Sequence, residues 1–208
     1  MSTLEILGLP ESNYVWATRF AIAEKGVPHT LVPTPPQDPA VKAIHPLGKV
    51  PVMRHGDVVL GESRAICAYV DATFEGPALM PACGPARWLA EQWVSMVRTS
   101  LEPFLVRKYL FATLFAGEAG PDRNAIEAML PELDAKLDVL TEGLAAGAFG
   151  GNDFTLVDAY LGPILAYLGN APESAEALSR RHPLAAYATR LAARPTFAAT
   201  APPSLAAA

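Results

Sequence analysis

Hydrophobic and polar positions along the chain follow two different spacings. Up to residue 74, short apolar runs predict four strands, at residues 3–7, 29–33, 50–53 and 58–60. Apolar positions three or four residues apart predict helices at residues 15–25 and 63–74. Gly26 marks the end of the first helix, and residues 55–57 mark the turn of a hairpin. The resulting order, β-α-β followed by β-β-α, is that of a thioredoxin-like domain.

The remainder of the chain shows only the helical spacing. It predicts a long helix over residues 86–115 and further helices over residues 126–144, 154–168 and 183–193. Pro103 is expected to kink or interrupt the long helix, and Pro131 to kink the next helix or begin a shorter one. Residues 201–208 show no periodicity and are expected to fray.

Proline and glycine positions indicate where one domain ends and the next begins. Residues 76–85 contain three prolines and two glycines, a composition typical of a linker. We therefore predict a thioredoxin-like α/β domain over residues 1–76, a linker over residues 77–85 and an all-helical domain, an α-helical bundle, over residues 86–208. A mixed α/β third followed by an all-helical remainder is an uncommon order, which restricts the folds that fit this chain.

Composition excludes several classes of function. The net charge of −5 argues against nucleic-acid binding, which needs clustered positive charge. No stretch of about eighteen uncharged apolar residues exists, so no membrane-spanning helix is expected. Cys67 and Cys83 form no Cys-x-x-Cys pair, and the four histidines are scattered singly. We therefore expect no disulfide and no metal site, in a reduced cytoplasmic protein without a signal segment.

Ser12 lies between the first predicted strand and the first predicted helix, where free N–H groups give the helix a positive end. Its hydroxyl can cap the helix, a common role of serine, or donate a hydrogen bond to a bound thiolate. A free thiol has a pKa of about 8.5, and lowering it by about two units requires about 2.7 kcal/mol. One charge-assisted hydrogen bond and the helix end can supply this. Tyr14 offers a rival hydroxyl.

Three stretches of the sequence carry a family resemblance. They are Ser12-Asn-Tyr-Val-Trp-Ala continuing to Glu24-Lys-Gly-Val-Pro, then His45-Pro-Leu-Gly-Lys-Val-Pro-Val-Met, then Gly61-Glu-Ser-Arg-Ala-Ile. Together they resemble the glutathione S-transferase family, nearest to a bacterial-style member of the serine-type (phi, tau and theta-like) classes. The resemblance covers nearly the whole chain. It implies a homodimer that transfers glutathione, its cosubstrate, to a hydrophobic electrophile in detoxification, with no other cofactor.

The resemblance favours a catalytic role for Ser12 over a simple cap. Two positions depart from the family pattern: Ala17 stands where these classes often carry an arginine, and His45 replaces the usual asparagine. His45 is interpreted as a loop residue. Tyr14 stays open as an alternative donor, although its place inside the first helical turn fits the tyrosine classes poorly.

The resemblance also assigns the residues that would bind glutathione. Lys49 would neutralise the glycine carboxylate. A cis peptide bond before Pro51 is implied, with the backbone N–H and C=O of Val50 pairing with the cysteinyl residue. Glu62 would accept from the α-ammonium group or fix the loop, and Ser63, at a helix start, suits the γ-glutamyl carboxylate.

The sequence does not specify the pocket for the electrophile as it does the residues that would bind glutathione. Five side chains of the long helix are candidates to face the first domain: Trp93, Met96, Val97, Ser100 and Tyr109. The alternative is that they form core, since an aromatic and methionine stripe at helical spacing usually does. Thr155 and Asp158 have the form of a capping box, which supports the fold and indicates no activity.

Two other functions stay open at the level of the sequence. A glutathione-dependent isomerase, peroxidase or dehalogenase on the same fold would differ only in the second pocket. A non-catalytic binding or scaffold protein on this fold would not need a complete glutathione site, so the presence of Ser12, Glu62 and Ser63 argues against it.

Overall fold

The first part of the protein alternates strands and helices. The computed structural model describes residues 3–114, 116–117 and 120–206. Its first elements are β1 (Leu4–Leu7), α1 (Asn13–Glu24), β2 (His29–Val32), α2 (Pro39–Lys42), β3 (Val52–His55), β4 (Val58–Gly61) and α3 (Ser63–Thr73). The hydrophobic pattern does not predict α2. The start of α2 is nevertheless marked in the sequence by Asp38, a residue type that favours helix starts. Asp38 caps α2 by accepting a hydrogen bond from the backbone N of Ala40 at 2.8 Å.

The four strands form one sheet in the order β2-β1-β3-β4. β1 is parallel to β2 and antiparallel to β3, and β3 is antiparallel to β4. The predicted thioredoxin-like α/β arrangement is thereby confirmed. The hairpin is tighter than predicted, since His55 belongs to β3 and pairs with Val58, leaving Gly56 and Asp57 as the turn. Gly56 has a φ of 59°, which glycine adopts without a steric penalty.

The elements after α3 in the described part of the chain are helical. α4 (Gly84–Met96), two π-helical segments (Val97–Leu101 and Pro103–Leu110) and α5 (Phe111–Thr113) form one long continuous helix. It is followed by α6 (Arg123–Ala145), α7 (Leu156–Leu168), α8 (Pro172–Ser179), α9 (His182–Ala192), α10 (Pro195–Thr200) and α11 (Pro203–Ala206). This all-helical part completes the predicted fold class.

The prolines have smaller effects than the sequence suggests. Pro103 does not interrupt the long helix, and it lies within the stretch from Val97 to Leu110 in which the bonding is mostly of the wider π-helical type. Pro131 lies inside α6 and does not begin a shorter helix. The sequence predicts a frayed tail from residue 201, but residues 203–206 form the short helix α11. Residue 115, the predicted end of the long helix, and residues 207–208 of the tail lie outside the described part.

α1 packs on both domains. Val15 belongs to the apolar cluster beneath the sheet, whereas Trp16 and Phe20 belong to the core of the helical domain. The rings of Trp16 and Phe20 lie 4.6 Å and 5.0 Å from that of Phe197 in α10. The beginning of α1, and with it Ser12, is therefore held at the boundary between the two domains.

α7 begins with the capping box that the sequence indicates. The Asp158 carboxylate accepts from the Thr155 backbone N at 2.7 Å and from the Thr155 hydroxyl at 2.9 Å. It also accepts from the Tyr187 hydroxyl at 2.6 Å, which links α7 to α9. Asp158 is only 3% exposed, so these three donors hold a buried acid at the centre of the helical domain.

Candidate functional site

Two adjoining cavities lie between the domains. The first, of 390 Å³, is lined by Tyr14, His45, Lys49, Val50, Pro51, Glu62, Ser63, Arg98, Glu102, Pro103 and Arg107. The second, of 230 Å³, is lined by Leu9, Glu11, Ser12, Asn13, Pro36, Val50, Val106, Arg107, Phe111 and Tyr167. Val50 and Arg107 line both, so the cavities share a boundary. The first is rich in charged groups, and the second is mostly apolar.

The loop before β3 delivers Lys49 and Val50 to the first cavity. The peptide bond between Val50 and Pro51 is cis, as the family resemblance implies. Gly48, one residue earlier, has a φ of 62°, and a Cβ there would lie 2.8 Å from the Gln37 side chain. Only glycine fits this turn without displacing its neighbour. Lys49 follows it with an exposed side chain at the cavity.

Glu62 occupies the position just before α3. Its carboxylate accepts from His45 Nε2 at 3.1 Å and from Arg98 Nη2 at 3.2 Å. Its φ of 65° is uncommon for a residue with a Cβ, and such conformations cluster at functional sites. His45 is therefore more than a loop residue, because it bonds directly to a predicted site residue.

Ser63 is the first residue of α3 and is 4% exposed. Its Oγ accepts from the Tyr160 hydroxyl at 3.1 Å. Burial raises the pKa of Tyr160 far above its ordinary value, which keeps that hydroxyl a donor. The proton of Ser63 is then left to donate to a ligand. Together with the unbonded N–H groups at the start of α3, this arrangement suits a carboxylate.

Ser12 lines the second cavity and is the N-cap of α1. Its Oγ accepts from the backbone N of Val15 at 3.4 Å. This cap uses a lone pair of the oxygen, so the hydroxyl proton stays available to donate to an anion. The two roles considered from the sequence are therefore compatible. An anion at this position would also face the positive end of α1.

Tyr14 lines the first cavity, and its hydroxyl donates to the backbone oxygen of Arg98 at 3.2 Å. Burial raises the pKa of Tyr14, and the nearby carboxylate of Glu102 raises it further. The phenol is thus a neutral group whose proton is directed at a carbonyl. This makes Tyr14 a weaker candidate than Ser12 for stabilising a thiolate.

Three charged residues of the long helix reach the first cavity and are not predicted from the sequence: Arg98, Glu102 and Arg107. Glu102 is 4% exposed and accepts from Arg107 Nε at 3.1 Å. Burial raises the pKa of Glu102, and the charge of Arg107 opposes that shift. The sequence does contain a signal for a polar site here, since these three charged residues interrupt a stretch of helix that is otherwise mostly apolar.

The five side chains proposed for the electrophile pocket line neither cavity. Trp93, Val97 and Tyr109 are buried in the core of the helical domain. Met96 is partly buried against the same core, and Ser100 is exposed. Trp93, Met96 and Val97 lie on the side of the helix that packs into that core, which is the alternative that the sequence leaves open. Ser100 and Tyr109 follow the start of π-helical bonding at Val97, which rotates them away from the directions that a 3.6-residue period predicts. The helix instead supplies Val106, Arg107 and Phe111 to the second cavity.

Two further features are missing from the part of the chain that the structure describes. It contains no group of three or more histidine, cysteine, aspartate or glutamate residues that could hold a metal ion. Nor does any helix in it have the length and apolar character needed to cross a lipid bilayer.

Comparison with known proteins identifies both domains. Residues 7–78 match the sequence model of the glutathione S-transferase N-terminal domain, and residues 123–193 match that of the glutathione S-transferase C-terminal domain. The first match contains the loop before β3 and the start of α3. The second contains the capping box of α7. Both predicted parts of the fold therefore match the same family.

Individual relatives match over nearly the full length. Glutathione S-transferase 3 of Zea mays is 31% identical, over 96% of this chain and 94% of the relative. A glutathione S-transferase of Silene vulgaris is 28% identical, over 95% and 96%. The crystal structure of a theta class glutathione S-transferase from Xanthomonas axonopodis pv. citri, with glutathione bound, is 26% identical with a TM-score of 0.80, over 96% and 97%. The chain therefore belongs to the glutathione S-transferase family.

Proposed function

We propose that this protein catalyses the attack of the glutathione thiolate on a small, mostly apolar electrophile, with the Ser12 hydroxyl stabilising the thiolate. One observation carries the proposal: a charged cavity and an apolar cavity share a boundary, and residues 12–14 at the start of α1 reach both. Glutathione S-transferases that match nearly the whole chain support the enzyme class and its thiol substrate.

Glutathione occupies the first cavity in this proposal. Its γ-glutamyl carboxylate meets the Ser63 hydroxyl and the start of α3, and its α-ammonium group meets the Glu62 carboxylate. Its cysteinyl backbone pairs with Val50, and its glycine carboxylate meets the exposed Lys49 amine. Each charged group of the tripeptide thereby has a partner of opposite charge or a hydrogen-bond donor. No metal or other cofactor takes part.

The thiolate lies at the boundary between the cavities, beside the start of α1. There the Ser12 hydroxyl donates to it, while the same oxygen continues to accept from the Val15 backbone. The positive end of α1 adds to this stabilisation. Both effects favour the charged form of the sulfur and lower its pKa, which makes more of the nucleophile available at neutral pH.

The electrophile occupies the second cavity. At 230 Å³ this cavity suits a small molecule, and side chains such as Leu9, Val106 and Phe111 give it an apolar wall. This replaces the pocket predicted from the sequence, whose five residues lie elsewhere. The reacting carbon then approaches the sulfur across the boundary at Val50 and Arg107.

The direct test is an ultraviolet titration of the thiolate of glutathione bound to the wild-type protein. We expect an apparent pKa well below that of free glutathione, because Ser12 and the helix end favour the anion. Binding with an unshifted pKa would contradict serine activation and indicate a glutathione-binding protein without this chemistry. Absence of binding would contradict the proposal as a whole and favour a scaffold.

Ser63→Ala should raise the dissociation constant of glutathione about tenfold, because it removes a donor to a carboxylate. Isothermal titration calorimetry measures this change directly. Ser63→Thr keeps the hydroxyl and serves as the control, with binding close to that of the wild type. Equal affinity in the alanine variant would show that the γ-glutamyl group does not bind here.

Phe111→Ala should raise the KM for an aryl electrophile about fivefold while leaving the KM for glutathione unchanged, since Phe111 lines only the second cavity. Steady-state kinetics with each substrate varied in turn measures both constants. Ser100→Ala is the control, because Ser100 is exposed and lines neither cavity. A change in the electrophile KM with Ser100→Ala alone would restore the pocket predicted from the sequence.

The serine-type assignment, the bacterial-style origin and the homodimer come from the sequence resemblance. The serine-type assignment is supported by the positions of Ser12 and Tyr14, and a bacterial-style origin stays a prediction beside the plant relatives. The homodimer is supported by the exposed apolar side chains of Leu47, Val59 and Trp88, and analytical ultracentrifugation tests it. A cytoplasmic location also stays a prediction.

A further inference from the structure

We propose that His45 is a positioning residue, which holds the Glu62 carboxylate in place for the ammonium group of glutathione. The inference rests on the proposed function, because it concerns how the glutathione cavity is built. Asparagine is the usual residue at this position in the family pattern, so the role would belong to this chain's own sequence. Three features support it: the hydrogen bonds of the His45 ring, the confinement of that ring and the exposure of the Glu62 side chain.

The hydrogen bonds of the ring fix which nitrogen carries the proton. The backbone N of Leu47 donates to His45 Nδ1 at 3.2 Å, and a backbone N–H can only donate. Nδ1 is therefore the unprotonated acceptor, and in the neutral ring the proton is on Nε2. Nε2 lies 3.1 Å from Glu62 Oε1 and donates to it. The ring thus links the loop to the carboxylate with a defined direction.

The ring is confined as well as bonded. The His45 side chain is 7% exposed, although it faces a carboxylate at an open cavity. A Cβ on Gly61, the last residue of β4, would lie 2.7 Å from Cδ2 of the ring. The absence of a side chain at Gly61 is therefore what leaves room for the imidazole. Two backbone bonds, His45 N to Val41 O and Gly48 N to His45 O, both at 2.8 Å, fix the residue itself.

The Glu62 carboxylate needs such support because its side chain is largely exposed to solvent and has little packing of its own to fix it. The side chain of Glu62 is 57% exposed, and no hydrogen bond from it caps α3. Arg98 reaches its second oxygen from the helical domain at 3.2 Å. His45 and Arg98 thereby hold the two oxygens from opposite sides of the cleft. Fixing the carboxylate in advance reduces the side-chain entropy lost when the ammonium group binds.

Replacing His45 with asparagine or glutamine tests its two hydrogen bonds separately, because each substitution can keep one bond and lose the other. An asparagine amide oxygen can replace Nδ1 as the acceptor for Leu47, but the side chain is too short to reach Glu62. A glutamine amide nitrogen can replace Nε2 as the donor to Glu62, at the expense of the bond to Leu47. His45→Asn therefore keeps the loop contact and loses the positioning contact, and His45→Gln does the reverse.

The experiment measures glutathione affinity by calorimetry on the full-length protein. We expect His45→Asn to weaken binding about tenfold and His45→Gln about twofold or less, with kcat at saturating glutathione changed little in both. His55→Gln is the matched control, because His55 bonds to the Tyr69 hydroxyl and lines neither cavity. Equal affinity in the asparagine and glutamine variants would overturn the positioning role.

Gly61→Ala perturbs the same contact without changing a polar group. It should displace the ring and weaken glutathione binding, but add little in the His45→Asn background, where the contact is already lost. Additive effects in the double variant would contradict the inference. A wild-type protein that binds no glutathione would overturn the proposed function and this inference together, whereas normal wild-type binding with unaffected variants overturns only the inference.

A measurement without glutathione tests the geometry itself. The ¹⁵N chemical shifts of the imidazole in the unliganded protein report which nitrogen is protonated, and His45→Gln assigns the signal. A neutral ring protonated at Nε2 supports the proposed bond to Glu62. A neutral ring protonated at Nδ1 would exclude the bond from Leu47 and overturn the inference, whatever the state of the variants.

Discussion

Ser12→Ala should lower kcat for glutathione transfer about 100-fold, the effect of removing one hydrogen-bond donor from a reacting anion. The pKa of bound glutathione should rise toward that of the free thiol, because only the helix end would still favour the anion. Steady-state kinetics and the ultraviolet titration measure the two changes. Glutathione affinity should change little, since the binding groups lie in the first cavity.

The cap that Ser12 provides requires a separate control. Ser12→Ala also removes the acceptor for Val15, which costs about 1 kcal/mol of helix stability. Ser12→Asp keeps a capping oxygen but places a negative charge beside the thiolate, so it should be as stable as the wild type and as inactive as the alanine variant. Full activity in either variant, with activity lost in Tyr14→Phe, would transfer the role to Tyr14.

Asp158→Ala should lower the free energy of unfolding by about 3–4 kcal/mol. It would leave the backbone N and hydroxyl of Thr155 and the hydroxyl of Tyr187 without their acceptor in a buried place. Burial is the largest cause of the raised pKa of Tyr187 and persists when the Asp158 carboxylate is removed, so the hydroxyl stays neutral and is left without an acceptor. The shift of the urea unfolding midpoint measures the effect.

Tyr187→Phe serves as the graded comparison for this prediction. It removes one of the three donors and leaves the capping box intact, so the loss should be about 1 kcal/mol. A loss in Asp158→Ala no greater than that in Tyr187→Phe would show that the two bonds to Thr155 contribute little to stability. The box would then have only a local role at the start of α7.

The sequence predicts the local part of the site well. Ser12 and Ser63 lie at helix starts, as predicted, because a change from strand to helix spacing leaves a signal within a few residues. The partners of Glu62 could not be predicted in this way. His45 is 17 residues away along the chain and Arg98 is 36, so both contacts depend on how the loop and the long helix pack.

The long helix shows a second reason for failure. A single helical period from residue 86 onward makes five side chains candidates to face the first domain: Trp93, Met96, Val97, Ser100 and Tyr109. From Val97 to Leu110 the bonding is largely π-helical, and nothing in the apolar spacing announces the change. Ser100 and Tyr109 lie beyond that change and are therefore assigned to the wrong direction. Trp93, Met96 and Val97 stand before it or at its start, and they form core instead, the alternative that the sequence leaves open.

The packing of α1 on both domains limits how this protein can be divided or recombined. Trp16 and Phe20 belong to the first domain by their position in the sequence, but their side chains pack in the core of the helical domain. Expressed alone, the first domain would expose these two rings to water. A chimera with a relative's first domain would need a matching residue at Phe197 in α10. The two domains therefore cannot be exchanged independently between relatives. A substitution in α1 at this contact should be accompanied by a compensating substitution in α10.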